Sequence, residues 1–164
     1  MSTLSIAHTA CGVSCLVLGA FVFFNGKATR LHRTAGTLYA LGMIALNVSA
    51  LCIYHLTGRF NLFHLFAVLS LLMVFIGWSQ VVFRRHFQRW FYRHYTYMCW
   101  SYAGLIAATS NEGFVRVPGL KALVQGTGNW LILATQVAIL GICAILLSRN
   151  KTRLHKNYAR ASIN

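Results

Sequence analysis

Long apolar runs alternate with short polar segments along the whole chain. Each run has about 20 residues, which is the length an α-helix needs to cross the hydrocarbon core of a bilayer. Asn25-Gly26 and Thr57-Gly58, residues that suit helix ends, close the first two runs. The pattern therefore predicts five membrane-spanning helices, at about residues 4–24, 35–56, 62–83, 94–110 and 130–147.

The connections between these predicted helices differ in length. Helices two and three are separated by a very short turn, so they form an antiparallel hairpin. Residues 111–127 contain the only proline, Pro118, and several glycines, and we expect them to form the longest non-helical connection. The fold predicted from this pattern is an all-α integral membrane bundle with one transmembrane domain, residues 1–164.

Composition supports a membrane protein and removes several kinds of chemistry. The 164 residues are 57% hydrophobic, and Glu112 is the only acid against 15 Lys and Arg residues. A single carboxylate excludes paired-carboxylate acid–base catalysis within this chain. No serine has a base and an orienting acid at a recognisable spacing, so the sequence gives no support for nucleophilic hydrolysis.

The basic residues set an orientation and a partner. Segments 25–34, 84–93 and 149–164 carry 12 of the Lys and Arg residues, and segments 57–61 and 111–127 carry 3. By the positive-inside rule the N-terminus lies outside, and residues 149–164 form a basic cytoplasmic tail. We expect anionic lipid headgroups as the partner, no nucleic acid, and a location in the bacterial inner membrane. The predicted membrane-surface anchors are Arg84, Arg85, Arg89, Trp90 and Arg93.

Two histidines begin helices that run in the same direction. On helix two, Tyr39 follows His32 on one helical face, and on helix four, Met98 follows His94. Both histidines lie near the cytoplasmic surface, where their imidazoles could ligate one haem iron from opposite sides, with Tyr39 and Met98 beside it. The alternative is that each histidine only marks a helix start at the headgroup level.

Other ionisable groups lie at the predicted outer side. His64 begins helix three and could pair with Glu112 to bind a metal or a quinone, or to move a proton; a hydrogen-bonded packing histidine is the alternative. His8, Cys11 and Cys15 share one face of helix one and suit copper or zinc. Because Gly12 lies on that face too, the cysteines equally fit as small packing residues.

Polar uncharged side chains inside the runs have a simpler expected role. They can form hydrogen bonds between helices, which is the usual function of such groups in membrane bundles. The residues concerned are Asn47, Ser49, Ser70, Ser101 and Gln136.

Residues 32 to about 118 resemble an uncharacterised family of bacterial multi-pass membrane proteins, domain of unknown function 2306. The similarity rests on HRTAGTLYALGM at 32–43, NVSAL at 47–51, YHLTGRFNLFH at 54–64 and HYTYMCWSYAGLIAA at 94–108. The family implies a membrane protein and supplies no activity.

The chain also looks like the cytochrome b561 superfamily, in which four core helices each supply a histidine and two haems lie between them. His32, His64 and His94 have comparable successive spacings, and residues 60–80 look like the third core helix. Helix five departs from this pattern because it contains Gln136 and no histidine. The resemblance therefore implies at most one bis-histidine haem, held by His32 and His94.

Three functions follow from these observations. The first is a membrane redox or electron-transfer protein with one b-type haem and an outer quinone or metal site. The second is a non-catalytic assembly or accessory subunit without a cofactor, which docks in a larger membrane complex or a homo-oligomer. The third is a transporter for a small solute or ion.

Overall fold

The computed structural model describes residues 3–27, 29–53, 62–84, 86 and 89–161, leaving aside the side chains of 62 and 151–161. This part of the chain is helical and contains no strand, which confirms the all-α prediction. Its six helices are α1 (Thr3–Phe24), α2 (Arg30–Leu51), α3 (Leu62–Val82), α4 (Trp90–Arg116), α5 (Pro118–Thr127) and α6 (Trp130–Ala161).

Four of the described helices are long and apolar enough to cross a membrane. These spans are Thr3–Phe24, Arg30–Leu51, Phe63–Val82 and Trp130–Asn150. The 27 residues of α4 are long enough as well, but its tyrosines, serines and threonines make it more polar than the four spans. Crossing of the membrane by α4, and the orientation that depends on it, therefore stay predictions.

The chain divides into two compact units, Met1–Trp78 and Ser79–Asn164. Helices α1 and α2 belong to the first unit, and α4, α5 and α6 belong to the second; α3 begins in the first and ends in the second. The single transmembrane domain expected from the sequence concerns both units together and stays a prediction.

In the first unit, α1 and α2 pack antiparallel at very short distance. The Nδ1 atom of His8 lies 2.8 Å from Oγ of Ser49, and the sulfur of Cys15 lies 4.0 Å from the Tyr39 carbonyl oxygen. Close approach is possible because Gly42 faces Cys15: a Cβ added to Gly42 would lie 2.7 Å from that sulfur.

In the second unit, α4 and α6 also run antiparallel. The amide of Gln136 donates to the Ala107 carbonyl at 3.1 Å, and the amide of Asn150 donates to the Tyr95 hydroxyl at 3.3 Å. Residue numbers increase along α4 as they decrease along α6. The two helices therefore lie side by side from residue 95 to at least residue 107 of α4.

Several predicted helix bounds need correction. Helix two begins at Arg30 rather than 35, because the Thr29 hydroxyl caps it by accepting the His32 backbone N–H at 3.0 Å. It ends at Leu51, and the predicted turn at 57–61 lies outside the described residues. Helix four extends beyond 94–110 in both directions, and α6 continues as a helix through the predicted tail to Ala161.

The prediction that residues 111–127 form a non-helical connection is wrong. Helix α4 continues to Arg116, and α5 begins at Pro118 after Val117, which is extended with φ −82° and ψ 118°. Pro118 occupies the first turn of α5, where a missing N–H costs nothing because that group has no partner within the helix. The proline therefore starts a helix here.

Candidate cofactor site

The face of α2 that begins with His32 is a buried face. Tyr39, Met43 and Asn47 follow His32 at helical spacing and are only 2%, 1% and 5% exposed. His32 itself is half-buried. The predicted common face is therefore confirmed for its central residues, and it carries two polar groups, a phenol and an amide, into a buried environment.

The face of α4 that begins with His94 is half-buried near the start of the helix and buried in the middle of the helix. His94 and Met98 are half-buried, and Ser101 and Leu105 are 1% and 4% exposed. Ala107, which accepts the hydrogen bond from α6, lies on the opposite side of the helix from Ser101 and Leu105. The histidine face is thus separate from the surface on which α6 packs.

His32 lies in the first compact unit, and His94 lies in the second. Tyr39 and Met98 lie on the faces predicted for them. A groove of about 330 Å³ lies on another side of α2, lined by Arg33, Thr34, Thr37 and Leu38. It is not part of the histidine face. The assignment of His32 and His94 to one haem stays a prediction.

His64 and Glu112 have very different surroundings. His64 is 2% exposed in the first turn of α3. Glu112, in the other unit, forms an ion pair with Arg116 one turn later, and its side chain is 56% exposed. Since Arg116 already neutralises this carboxylate, Glu112 has a local partner at the end of α4. The predicted pairing of His64 with Glu112 stays untested.

His8 and Cys15 each contact α2. The Ser49 oxygen lies 2.8 Å from Nδ1 of His8 and 2.8 Å from the Leu46 carbonyl oxygen. Because Nδ1 of His8 is engaged in this hydrogen bond, a metal would have to use the other ring nitrogen. Cys15 is fully buried, while Cys11 is half-buried.

Within the described residues, no three His, Cys, Asp or Glu side chains come close enough together to hold a metal ion. The predicted set of His8, Cys11 and Cys15 therefore remains a prediction from sequence. The contacts observed for His8 and Cys15 are those of helix packing.

Most of the polar groups expected to bond between helices do so. Asn47 donates to Ser70 on α3 at 3.2 Å, and Gln136 donates to Ser110 on α4 at 3.3 Å as well as to Ala107. Ser49 bonds to His8, and Ser101 is buried. The sequence analysis missed the bond between Tyr95 and Asn150 because it placed Asn150 in the tail, beyond the helix.

The predicted surface anchors lie between the end of α3 and the first turn of α4. Arg84, Arg89 and Arg93 are exposed, and Trp90 packs edge-on against Phe91 with ring centroids 5.7 Å apart. Arg89 adopts a left-handed backbone, φ 59°, at the N-cap position. Arg85 lies outside the described residues.

Comparison with known protein families gives a match over most of the chain. Residues 5–144 match the family model described as predicted membrane protein, DUF2306. Neither the curated proteins nor the solved structures contain a match to this chain.

Proposed function

The chain belongs to the DUF2306 family of predicted membrane proteins, and from that premise we propose that it is a multi-pass membrane redox protein with one b-type haem. His32 and His94 are the proposed axial ligands. The observation that carries the proposal is that each histidine leads a buried, partly polar face of its helix. Ionisable residues placed on such faces in membrane proteins usually serve a function.

The residues around His32 suit a flat cofactor. A Cβ added to Gly36, one turn after His32, would meet no atom within 4 Å, so there is room beside the imidazole on this side. Tyr39 and Asn47 add hydrogen-bonding groups deeper along the face. On α4, Met98 follows His94 by four residues, as Gly36 follows His32 on α2. When bound, the haem would supply a one-electron couple, and the two imidazoles would hold its iron.

His64 is the proposed contact for a membrane quinone, because it is a buried imidazole in the first turn of a predominantly apolar helix. Its ring can donate a hydrogen bond to a quinone carbonyl oxygen, or accept one from the hydroxyl of the reduced quinol. The exposed ion pair with Arg116 makes Glu112 the less suitable of the two residues predicted for this role. Zinc or copper is the alternative cofactor, but no three His, Cys, Asp or Glu side chains gather within the described residues, so a metal at His64 or at His8, Cys11 and Cys15 would need further ligands.

The test is a visible spectrum of the purified protein, produced with an adequate haem supply, before and after reduction with dithionite. We expect a Soret band, sharp reduced α and β bands, and about one haem per chain. His32→Ala and His94→Ala should each abolish these bands. His86→Ala is the matched control, because His86 is exposed outside the helices, and it should leave the spectrum unchanged.

A featureless spectrum from folded wild-type protein, or bands that survive His94→Ala, would overturn the haem proposal. Metal analysis of the same sample would then separate a zinc or copper protein from a chain without a cofactor. A stable copurifying membrane partner would favour the accessory subunit. Solute flux in proteoliposomes that changes in Glu112→Gln would favour the transporter.

A further inference from the structure

Helix α5 has one apolar side that the rest of the second unit leaves partly uncovered. Leu120, Leu123 and Val124 share this side, and Lys121 and Gln125 lie on the other. No residue of α5 is buried, and Leu120 and Leu123 are 38% and 50% exposed. At 10 residues, about 15 Å, the helix is too short to span a bilayer.

Chain connectivity fixes α5 close to the end of a membrane span. Only Gly128 and Asn129 separate it from Trp130, where the α6 span begins. Because one residue advances the chain by at most about 3.6 Å, the end of α5 lies within roughly 11 Å of Trp130. Trp130 is 76% exposed, and exposed tryptophans at span ends are typical of the membrane–water interface.

Exposed apolar side chains also flank α5 along the chain. Val115 and Val117, just before α5, are 55% and 48% exposed, and Leu133, one turn into α6, is 53% exposed. If α6 spans the membrane, the side of this helix that does not pack against α4 must face acyl chains. Chain connectivity therefore places α5 between two segments that carry exposed apolar side chains.

The charge of α5 points to the same environment. Lys121 is exposed and is the only charged residue of this helix. The nearby Arg116 is paired with Glu112, so Lys121 contributes the uncompensated positive charge at this end. A lysine at the membrane surface is attracted to the phosphate groups of anionic phospholipids.

We propose that α5 is an interfacial lipid-binding helix. It lies in the headgroup layer, at the end of α4 away from the basic segment 84–93, with Leu120 and Leu123 among the upper acyl carbons and Lys121 against the phosphate of an anionic phospholipid. The proposal is independent of any cofactor, because it uses none of the histidine faces. Its failure would leave the haem proposal standing, and the reverse also holds.

The test measures the reactivity of cysteines introduced on the two sides of α5, in nanodiscs that contain one copy of the full chain each. Leu123→Cys and Gln125→Cys proteins are treated with a water-soluble maleimide, and peptide mass spectrometry separates the new site from the native cysteines. We expect position 123 to react roughly tenfold or more slowly than position 125, because the reactive thiolate is disfavoured in an apolar environment. After denaturation the two positions should react equally.

Lipid composition tests the role of Lys121. Protection at position 123 should be stronger in nanodiscs with phosphatidylglycerol than in phosphatidylcholine alone, and Lys121→Gln should remove this difference. Equal reactivity at positions 123 and 125 in the bilayer would overturn the proposal. Protection that appears only when several copies share one nanodisc would also overturn it, since a second copy would then cover the apolar side.

Discussion

Gly42 and Cys15 show how single atoms determine the distance between two helices. The sulfur of Cys15 is fully buried and occupies the space that a side chain on Gly42 would need. In a bilayer, helices associate by close packing of small residues, because lipid tails are as apolar as leucine. The sequence predicts this use of small residues on α1 from Gly12, which shares a helical face with Cys11 and Cys15. It could not select Gly42 as the partner, because the helical pattern does not specify which residues of α2 face α1.

Replacing Gly42 by Ala should destabilise the α1–α2 pair. The added methyl group would lie 2.7 Å from the Cys15 sulfur, which is far inside van der Waals contact, and overpacking of this kind costs about 1–3 kcal/mol. The free energy of unfolding, measured in mixed detergent micelles, checks the change. Gly141→Ala is the control, since its added Cβ would meet no atom within 4 Å.

The cause is tested by combining Gly42→Ala with Cys15→Ala. Removing the sulfur makes room for the new methyl group, so the double variant should be more stable than the sum of the two single effects by about 0.5–3 kcal/mol. Strictly additive effects would show that the two side chains do not compete for the same space.

At the scale of elements, polar side chains link α4 to α6. Gln136 and Asn150 each reach across to α4, whereas many apolar side chains of α6 remain exposed, among them Val137 at 63%. The hydrogen bonds therefore fix which face of α6 meets α4, and the exposed apolar side chains are left to contact lipid.

Gln136→Leu should weaken the association of α4 with α6. The change removes hydrogen bonds to the Ala107 carbonyl at 3.1 Å and the Ser110 hydroxyl at 3.3 Å, and interhelical bonds of this type contribute about 0.6–1.7 kcal/mol. Titration of the bicelle-embedded protein with a denaturing detergent measures the loss. Thr135→Val is the matched control, because the Thr135 hydroxyl bonds only to Leu131 of its own helix; an equal loss in both variants would contradict the prediction.

The sequence predicted the number and position of the long helices well because each apolar run has the length of a bilayer span. The predictions were wrong where individual side chains determine where a helix begins and ends. The Thr29 cap begins α2 five residues before its predicted start. Residues 111–127 are mostly helical despite their glycines and Pro118, because proline is favourable in a first helical turn. The burial of Tyr39, Met43 and Asn47 could not be predicted, because helical spacing places residues on one face of a helix without saying where that face points.

The sequence predicts only part of the hydrogen bonds between helices. Asn47, Ser49 and Gln136 were recognisable, because a polar side chain inside an apolar run needs a partner. The partners themselves depend on helix rotation and register. For the same reason, the pairing of His32 with His94 and of His64 with Glu112 remains a prediction that biochemical experiments must test.

At the scale of the whole molecule, the membrane topology depends on α4. Its packing against α6 extends from Tyr95 opposite Asn150 to Ala107 opposite Gln136. Residues 136–150 rise by about 21 Å in a helix, which covers most of a hydrocarbon core of about 30 Å. If α6 crosses the bilayer, α4 must lie at the same depth, since the two helices are antiparallel neighbours over that length.

Five spans place the two termini on opposite sides of the membrane, whereas four spans would place them on the same side. Because 12 of the 15 Lys and Arg residues lie in the segments that share a side with the C-terminus, we predict an external N-terminus and a cytoplasmic C-terminus. Epitope tags at both ends, exposed to protease in intact spheroplasts, measure this directly. The N-terminal tag should be cleaved, and the C-terminal tag should be cleaved only after lysis. Cleavage of both tags, or of neither, before lysis would mean that α4 does not cross the bilayer, and the lipid-facing surface assigned to α6 would then have to be reconsidered.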